Sequence, residues 1–230
     1  MHQPGPLLAS GRDADIYEYG EGLVLRRSRE GRSMLTEARI MEHVRAYGFP
    51  LPEVTEVSDD GTELVMERVT GPLMAQALTH RPWTFARQAA VLGDLHHRLH
   101  DIPAPEWLRA APGKEGDRLL HLDLHPLNVI VAPSGPVVID WPAAARGLPA
   151  VDVALTWVLL SAGAIPAGPV RAAVLERFRA LFVRLFLRSF DLDEIRPHVR
   201  EVVEWKVRDP HMSAAEQAGM WRLAQEIERG

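Results

Sequence analysis

Hydrophobic and polar positions alternate in short runs at the start of this chain and give way to helical stripes later. Ala14 to Tyr19 and Leu23 to Arg27 are β-rich runs separated by Gly20-Glu-Gly22, which predicts a hairpin. Met34 to Ala46 carries apolar residues at Leu35, Ala38, Met41 and Val44, a spacing that lines one face of a helix. Gly48-Phe-Pro-Leu-Pro52 ends it, because proline cannot continue a helix and pushes its predecessor toward extended backbone. Two more strands, Glu53 to Ser58 and Glu63 to Arg68, flank the turn signal Asp59-Asp-Gly61.

Beyond Thr70-Gly71-Pro72 the pattern is mostly helical. Thr84 to His100 brings Phe85, Gln88, Leu92, Leu95 and Leu99 near one face, and Ile102-Pro-Ala-Pro105 stops it. Two short strands follow, Val129 to Ala132 and Val137 to Asp140, joined by Pro133-Ser-Gly-Pro136. Helices are predicted at about 151–163, 169–189, 193–208 and 213–228. Asp191-x-x-Glu194 and Ser213-x-x-Glu216 are capping-box patterns that support the last two starts. The expected fold class is α+β. A small β-rich lobe with one helix spans 1–69, and a helical lobe holding a short hairpin spans 70–230.

Composition narrows the function classes. At 230 residues and 47% hydrophobic, the chain can bury a core of useful size. A net charge of −5 gives no general attraction for nucleic acid or an anionic membrane, so neither is an expected partner. With no cysteine, disulfides and thiol catalysis are excluded, and a reducing cytoplasm is the expected location. The start lacks a basic region followed by an apolar run, so no signal peptide is expected. Val151 to Ala164 is apolar but carries Asp152 and is shorter than the roughly 20 residues a span takes.

The candidate chemistry lies in His121-Leu-Asp-Leu-His-Pro-Leu-Asn128 and in Ile139-Asp140-Trp141. An acid, an amide and a second acid stand at the spacing of a kinase catalytic loop and its metal site. Asp123 is the expected catalytic base, placed to orient a hydroxyl for in-line attack. Asn128 and Asp140 are the expected magnesium ligands, since magnesium takes hard oxygens and few protein donors. His121, Asp123 and His125 also alternate, which leaves open a metal-dependent hydrolase with two imidazoles and a carboxylate. His121 otherwise packs beneath the loop. His96 and His100 stand one turn apart, and a half-exposed helix face is the expectation for them. No P-loop sequence occurs. Ser10 and Gly11, in the turn Ala9 to Ala14, could still approach phosphates through backbone N–H groups.

Together these residues resemble the aminoglycoside phosphotransferase and choline-kinase-like family, relatives of the protein kinases, over about residues 10 to 210. Pro50-Leu-Pro-Glu-Val54, Leu95 to Pro103 and Gly147 to Ala154 are similar to further family segments, the last with a structural Asp at 152. The resemblance implies a bilobal protein-kinase-like fold with ATP between the lobes. Glu67-Arg-Val69 would be the hinge whose backbone binds adenine. Arg26 would stand on the strand that carries the phosphate-contacting lysine, with Glu37 as its ion-pair partner. Position 26 departs from the pattern in being Arg, and in isolation Arg26 and Arg27 read as exposed strand charges. Leu122 and the lack of an Ala-Pro-Glu segment argue against a protein substrate.

The expected activity is transfer of the γ-phosphate of ATP, with Mg2+, to a hydroxyl of a small molecule. An aminoglycoside-like compound, an amino alcohol and a sugar are all candidates. A nucleotide-binding protein with weak or no transfer is the alternative that Arg26 leaves open.

Overall fold

A computed structural model describes residues 3–11, 13–113, 115–162, 169–210 and 212–229, with the backbone alone for 169–174. Among these the strands are β1 (Leu7–Ser10), β2 (Ala14–Glu18), β3 (Leu23–Ser28), β4 (Val54–Val57), β5 (Glu63–Glu67), β6 (Arg118–Leu120), β7 (Val129–Ala132), β8 (Gly135–Val138) and β9 (Ala145–Gly147). The helices are α1 (Leu35–Ala46), α2 (Met74–His80), α3 (Phe85–His100), α4 (Pro149–Ala162), α5 (Pro169–Leu187), α6 (Leu192–Ile195), α7 (Val199–Lys206) and α8 (Ala214–Arg229).

The chain divides into two compact units. The first runs to Leu73 and also takes in Asn128–Pro142. The second takes Met74–Leu127 and resumes at Ala143.

The first unit is built on an antiparallel sheet in the order β1-β2-β3-β5-β4. Gly20 and Gly22 turn the β2–β3 hairpin at φ of 63° and 72°, a region that side chains disfavour. Tyr19, Leu25 and Val65 form a core cluster on the sheet. The first strand escaped the sequence pattern because all four of its residues are exposed, so no alternation marks it. Helix α1 buries Ala38, Ile40, Met41 and Val44 as apolar anchors. Leu35, expected on that face, is exposed at the helix start, and Glu37 is buried instead.

The β7–β8 hairpin packs with this unit although it comes much later in the chain. Val131 N–H donates to Pro72 O (2.8 Å), and Val138 N–H donates to Pro50 O (2.9 Å). At Gly71 a Cβ would stand 2.4 Å from Val131 O, so the chain can pass β7 only as glycine. Strand β8 ends at Val138 rather than at Asp140, because Asp140 adopts φ 71° and leaves the extended region.

The second unit is helical. The capping box at α8 is present, with Ser213 and Glu216 bonded to each other. At α6 Asp191 caps the helix by accepting from Asp193 N–H rather than by pairing with Glu194. The single helix expected over 193–208 is broken by a 3-10 turn at Arg196–His198, since Pro197 offers no N–H to an α-helical turn. The expected end of the 151–163 helix at Gly163 lies outside the described residues. Strands β6 and β9 pair with each other but are three residues long, too short to show a period. No described helix is long and apolar enough to cross a membrane.

The histidines of α3 differ from expectation. His96 and His100 are both buried, not half-exposed. His96 Nδ1 stands 2.9 Å from Leu92 O and Nε2 stands 3.0 Å from Thr156 Oγ1. Burial lowers its pKa to about 4, so the ring is neutral and Nδ1–H is the donor to Leu92.

Candidate active site

In the second unit the segment after β6 is shaped by one buried carboxylate. Asp152 has no exposed surface. It accepts His121 N–H at 3.0 Å and Leu122 N–H at 2.8 Å, and its Oδ2 lies 3.0 Å from His100 Nε2. Leu122 sits at φ 58°, a conformation costly for a branched side chain. The two N–H bonds to Asp152 hold that bend in place. Burial alone would raise the Asp152 pKa, but His100, His96 and the His121 N–H hold it down to about 2. One turn on, the Thr156 hydroxyl lies 2.9 Å from Leu124 O. Helix α4 thus lies against the chain on both sides of Asp123.

Asp123 itself is partly buried. His125 Nε2 stands 3.6 Å from its Oδ2, and Lys206 Nζ stands 3.7 Å from its Oδ1. Burial works to raise its pKa, yet His125, Lys206 and His121 more than offset this and hold it well below the usual carboxylate range. His121 is fully buried. Among the described residues no group of three or more His, Cys, Asp or Glu could hold a metal ion, so His121, Asp123 and His125 are not gathered as ligands. His121 is turned into the core, where it cannot share a solvent-facing metal with its neighbours.

In the first unit Glu37 and Asp140 converge on Arg26. This residue sits mid-sheet on β3, opposite Ile16 and Leu64. Its Nη1 lies 2.5 Å from Glu37 Oε1 and its Nη2 lies 3.3 Å from Asp140 Oδ1. Arg26 is 13% exposed and Glu37 is 4% exposed, so Arg26 is no surface charge. Burial favours the neutral guanidine, but Glu37 and Asp140 prevail and raise the Arg26 pKa. Glu37 also accepts Trp141 N–H at 3.3 Å, which ties α1 to the residue after Asp140. Trp141 is fully buried, packs edge-on against Phe49 and donates Nε1–H to Val138 O. Arg27, by contrast, is 43% exposed and pairs with Glu63.

Asn128 and Asp140 stand at the open end of the β7–β8 hairpin, where Ile139 N–H donates to Asn128 O at 3.0 Å. The Asn128 side chain is buried and that of Asp140 is 44% exposed. An amide oxygen and a half-exposed carboxylate at one hairpin mouth form a donor set that fits magnesium. Ser10 Oγ donates to Asp15 at 2.6 Å, and Gly11 N–H donates to Ala14 O, so the β1–β2 turn is closed on itself. Arg12 in that turn lies outside the described residues. Glu67 N–H donates to Glu53 O, and Val69 is half-buried just beyond β5. Lys206 is the residue that sequence reasoning missed. It lies on α7, far along the chain, with no motif to mark it.

This chain belongs to the phosphotransferase enzyme family, whose model matches residues 72–198. No curated protein matches the sequence. Among solved structures it is similar to a choline/ethanolamine kinase family protein from Mesorhizobium loti, with a TM-score of 0.68 at 15% identity. That match covers 98% of this chain and 89% of the other. It is also similar to a thermostable mutant of an aminoglycoside phosphotransferase, with a TM-score of 0.60 at 15% identity over 97% and 93% of the two chains. A third likeness is to the choline kinase LicA from Streptococcus pneumoniae, with a TM-score of 0.53 at 13% identity over 96% and 91%. At these identities the likeness is one of fold. The protein is a phosphotransferase with the α+β, kinase-like fold that its sequence predicted.

Proposed function

We propose that this phosphotransferase moves the γ-phosphate of ATP to a hydroxyl of a small molecule and uses magnesium to do so. The observation that carries the proposal is the Arg26–Glu37–Asp140 network. It holds a cation, its buried counter-ion and a half-exposed carboxylate together in the first unit. Two solved relatives by fold support it. One is an amicoumacin kinase with AMP-PNP and Ca2+, and the other an aminoglycoside phosphotransferase mutant with AMP-PNP and hygromycin B.

In this reading Arg26 grips phosphate oxygens, and Glu37 holds its guanidinium in place. The turn at Ser10 and Gly11 would lie beside the phosphates, with the Gly11 N–H already given to Ala14 O. The Glu67 carbonyl and the Val69 backbone meet the adenine edge. Asn128 and Asp140 hold the metal, which when bound neutralises charge on the phosphates. Asp123 orients the acceptor hydroxyl and takes its proton late in the transfer. Its depressed pKa suits orientation, since it stays ionised across the working pH range.

From Asp191 to the end there are nine acidic and six basic residues, too mild a bias to single out a cationic acceptor. An aminoglycoside-like compound, an amino alcohol and a sugar therefore all belong in the test. ATP consumption with magnesium is to be measured over these classes, and turnover with at least one is expected. Tight ATP binding with no turnover across the panel would instead favour a nucleotide-binding role.

Arg26→Lys tests the unusual residue directly. Lysine keeps the charge but loses the two-pronged grip. ATP affinity should fall about tenfold, the scale of one charge-assisted hydrogen bond. Calorimetric titration measures it, and unchanged affinity would remove Arg26 from the phosphate site.

A further inference from the structure

Lys206 is placed where no motif of the chain would have put a functional group. It is the last residue of α7, and it lies beyond the 72–198 segment that the family model matches. Its Nζ stands 3.7 Å from Asp123 Oδ1 and 3.6 Å from Asp209 Oδ2. Its side chain is 17% exposed, and its ammonium lies 6.0 Å from the centre of the Trp205 ring. An ammonium so enclosed between two carboxylates has lost much of its hydration and its freedom to swing.

We propose that Lys206 is a positioning residue for phosphoryl transfer, which pins the Asp123 carboxylate from one side. The proposal rests on the reading of Asp123 as the catalytic base. The geometry divides the carboxylate between two neighbours. Lys206 faces Oδ1, and His125 faces Oδ2 at 3.6 Å. A carboxylate held at one oxygen by a fixed cation presents a defined remaining lone pair to an acceptor hydroxyl. Asp209 anchors the ammonium in turn, so these ion pairs couple the terminus of α7 to the loop after β6.

The titratable groups near Asp123 are His121 and His125 on its own segment and Lys206 from α7, with Asp209 facing Lys206 from the turn beyond. Without Lys206, burial would act against one fewer cation. The Asp123 pKa would then rise toward the ordinary range. The acid limb of the kcat profile would move to higher pH.

Lys206→Met and Lys206→Arg are to be compared with the wild-type chain in full pH–rate profiles, with Asp123→Asn as the control. For Lys206→Met, kcat should fall about 10-fold to 100-fold with the KM for ATP unchanged, and the acid limb should shift to higher pH. Lys206→Arg should restore most of kcat and return the limb. A purely structural lysine would lower thermal stability and leave the limb where it was, and that result overturns the proposal. So does a Lys206→Met enzyme with unaltered kcat. Full activity in Asp123→Asn would instead overturn the reading of Asp123, whatever Lys206 does.

Discussion

Replacing Asp123 with alanine should lower phosphoryl transfer by roughly 10²–10⁴-fold, the range that a positioned acid–base group contributes. ATP affinity should change little. The residues proposed to meet the nucleotide are Arg26, Ser10, Gly11, Glu67, Val69, Asn128 and Asp140, and the substitution leaves each of them in place. Initial rates at saturating ATP, with calorimetric titration of ATP beside them, separate the two effects. Turnover that survives intact in Asp123→Ala sinks the proposed mechanism. The substitution should be well tolerated by the fold, because Asp123 lies on a loop and Asp152 supplies the bonds that bend it.

Replacing Asp152 with alanine should be the most damaging change to stability. It removes one carboxylate that serves two backbone N–H groups and the His100 ring. All of these are buried, and breaking such a constellation costs about 3–5 kcal/mol. Leu122 then has no partner to hold its left-handed backbone. Urea unfolding measures the loss, and a change under about 1 kcal/mol would refute the role assigned here.

The pH dependence gives an independent reading. The Asp152 pKa is lowered from 3.8 to about 2. A depressed carboxylate pKa means stability that is complete above pH 3.8 and is lost as pH falls through about 2. The alanine variant lacks that carboxylate, so its own loss over this window should be smaller.

Much of the fold was legible because its elements obey their periods. The β2–β3 hairpin, α1, α3 and the β7–β8 hairpin all show alternation or a helical stripe, and glycine or proline marks their ends. What failed did so for reasons of length or exposure. Strand β1 lies exposed on the sheet edge, while β6 and β9 are too short to repeat. Pro197 was visible in the sequence, yet the helical pattern around it outweighed a single residue.

The polar core was the hardest part to read. His96, His100 and Glu37 each look like surface residues by type, and each is buried because a specific partner receives it. Such pairings join residues far apart in the chain, as His100 and Asp152 are. Periodicity along one element carries no trace of them. The motif spacing singled out Asp123, Asn128 and Asp140 as candidates, since those positions follow one another closely around one short hairpin. Lys206 has no such local record, because what brings it to Asp123 is the packing of α7.

The guanidinium of Arg26 also changes how many bonds one side chain can make at once. Arginine offers five N–H donors, and the contacts to Glu37 and Asp140 engage one on each terminal nitrogen. Three donors remain for other acceptors. An ammonium in the same place has three in all, and the same two contacts would leave it one. The departure from lysine is therefore a gain in valence. A strand residue with surplus donors can keep both acids in hand and still meet an anion with a full fork, so helix, sheet and hairpin need not let go of one another when a ligand arrives.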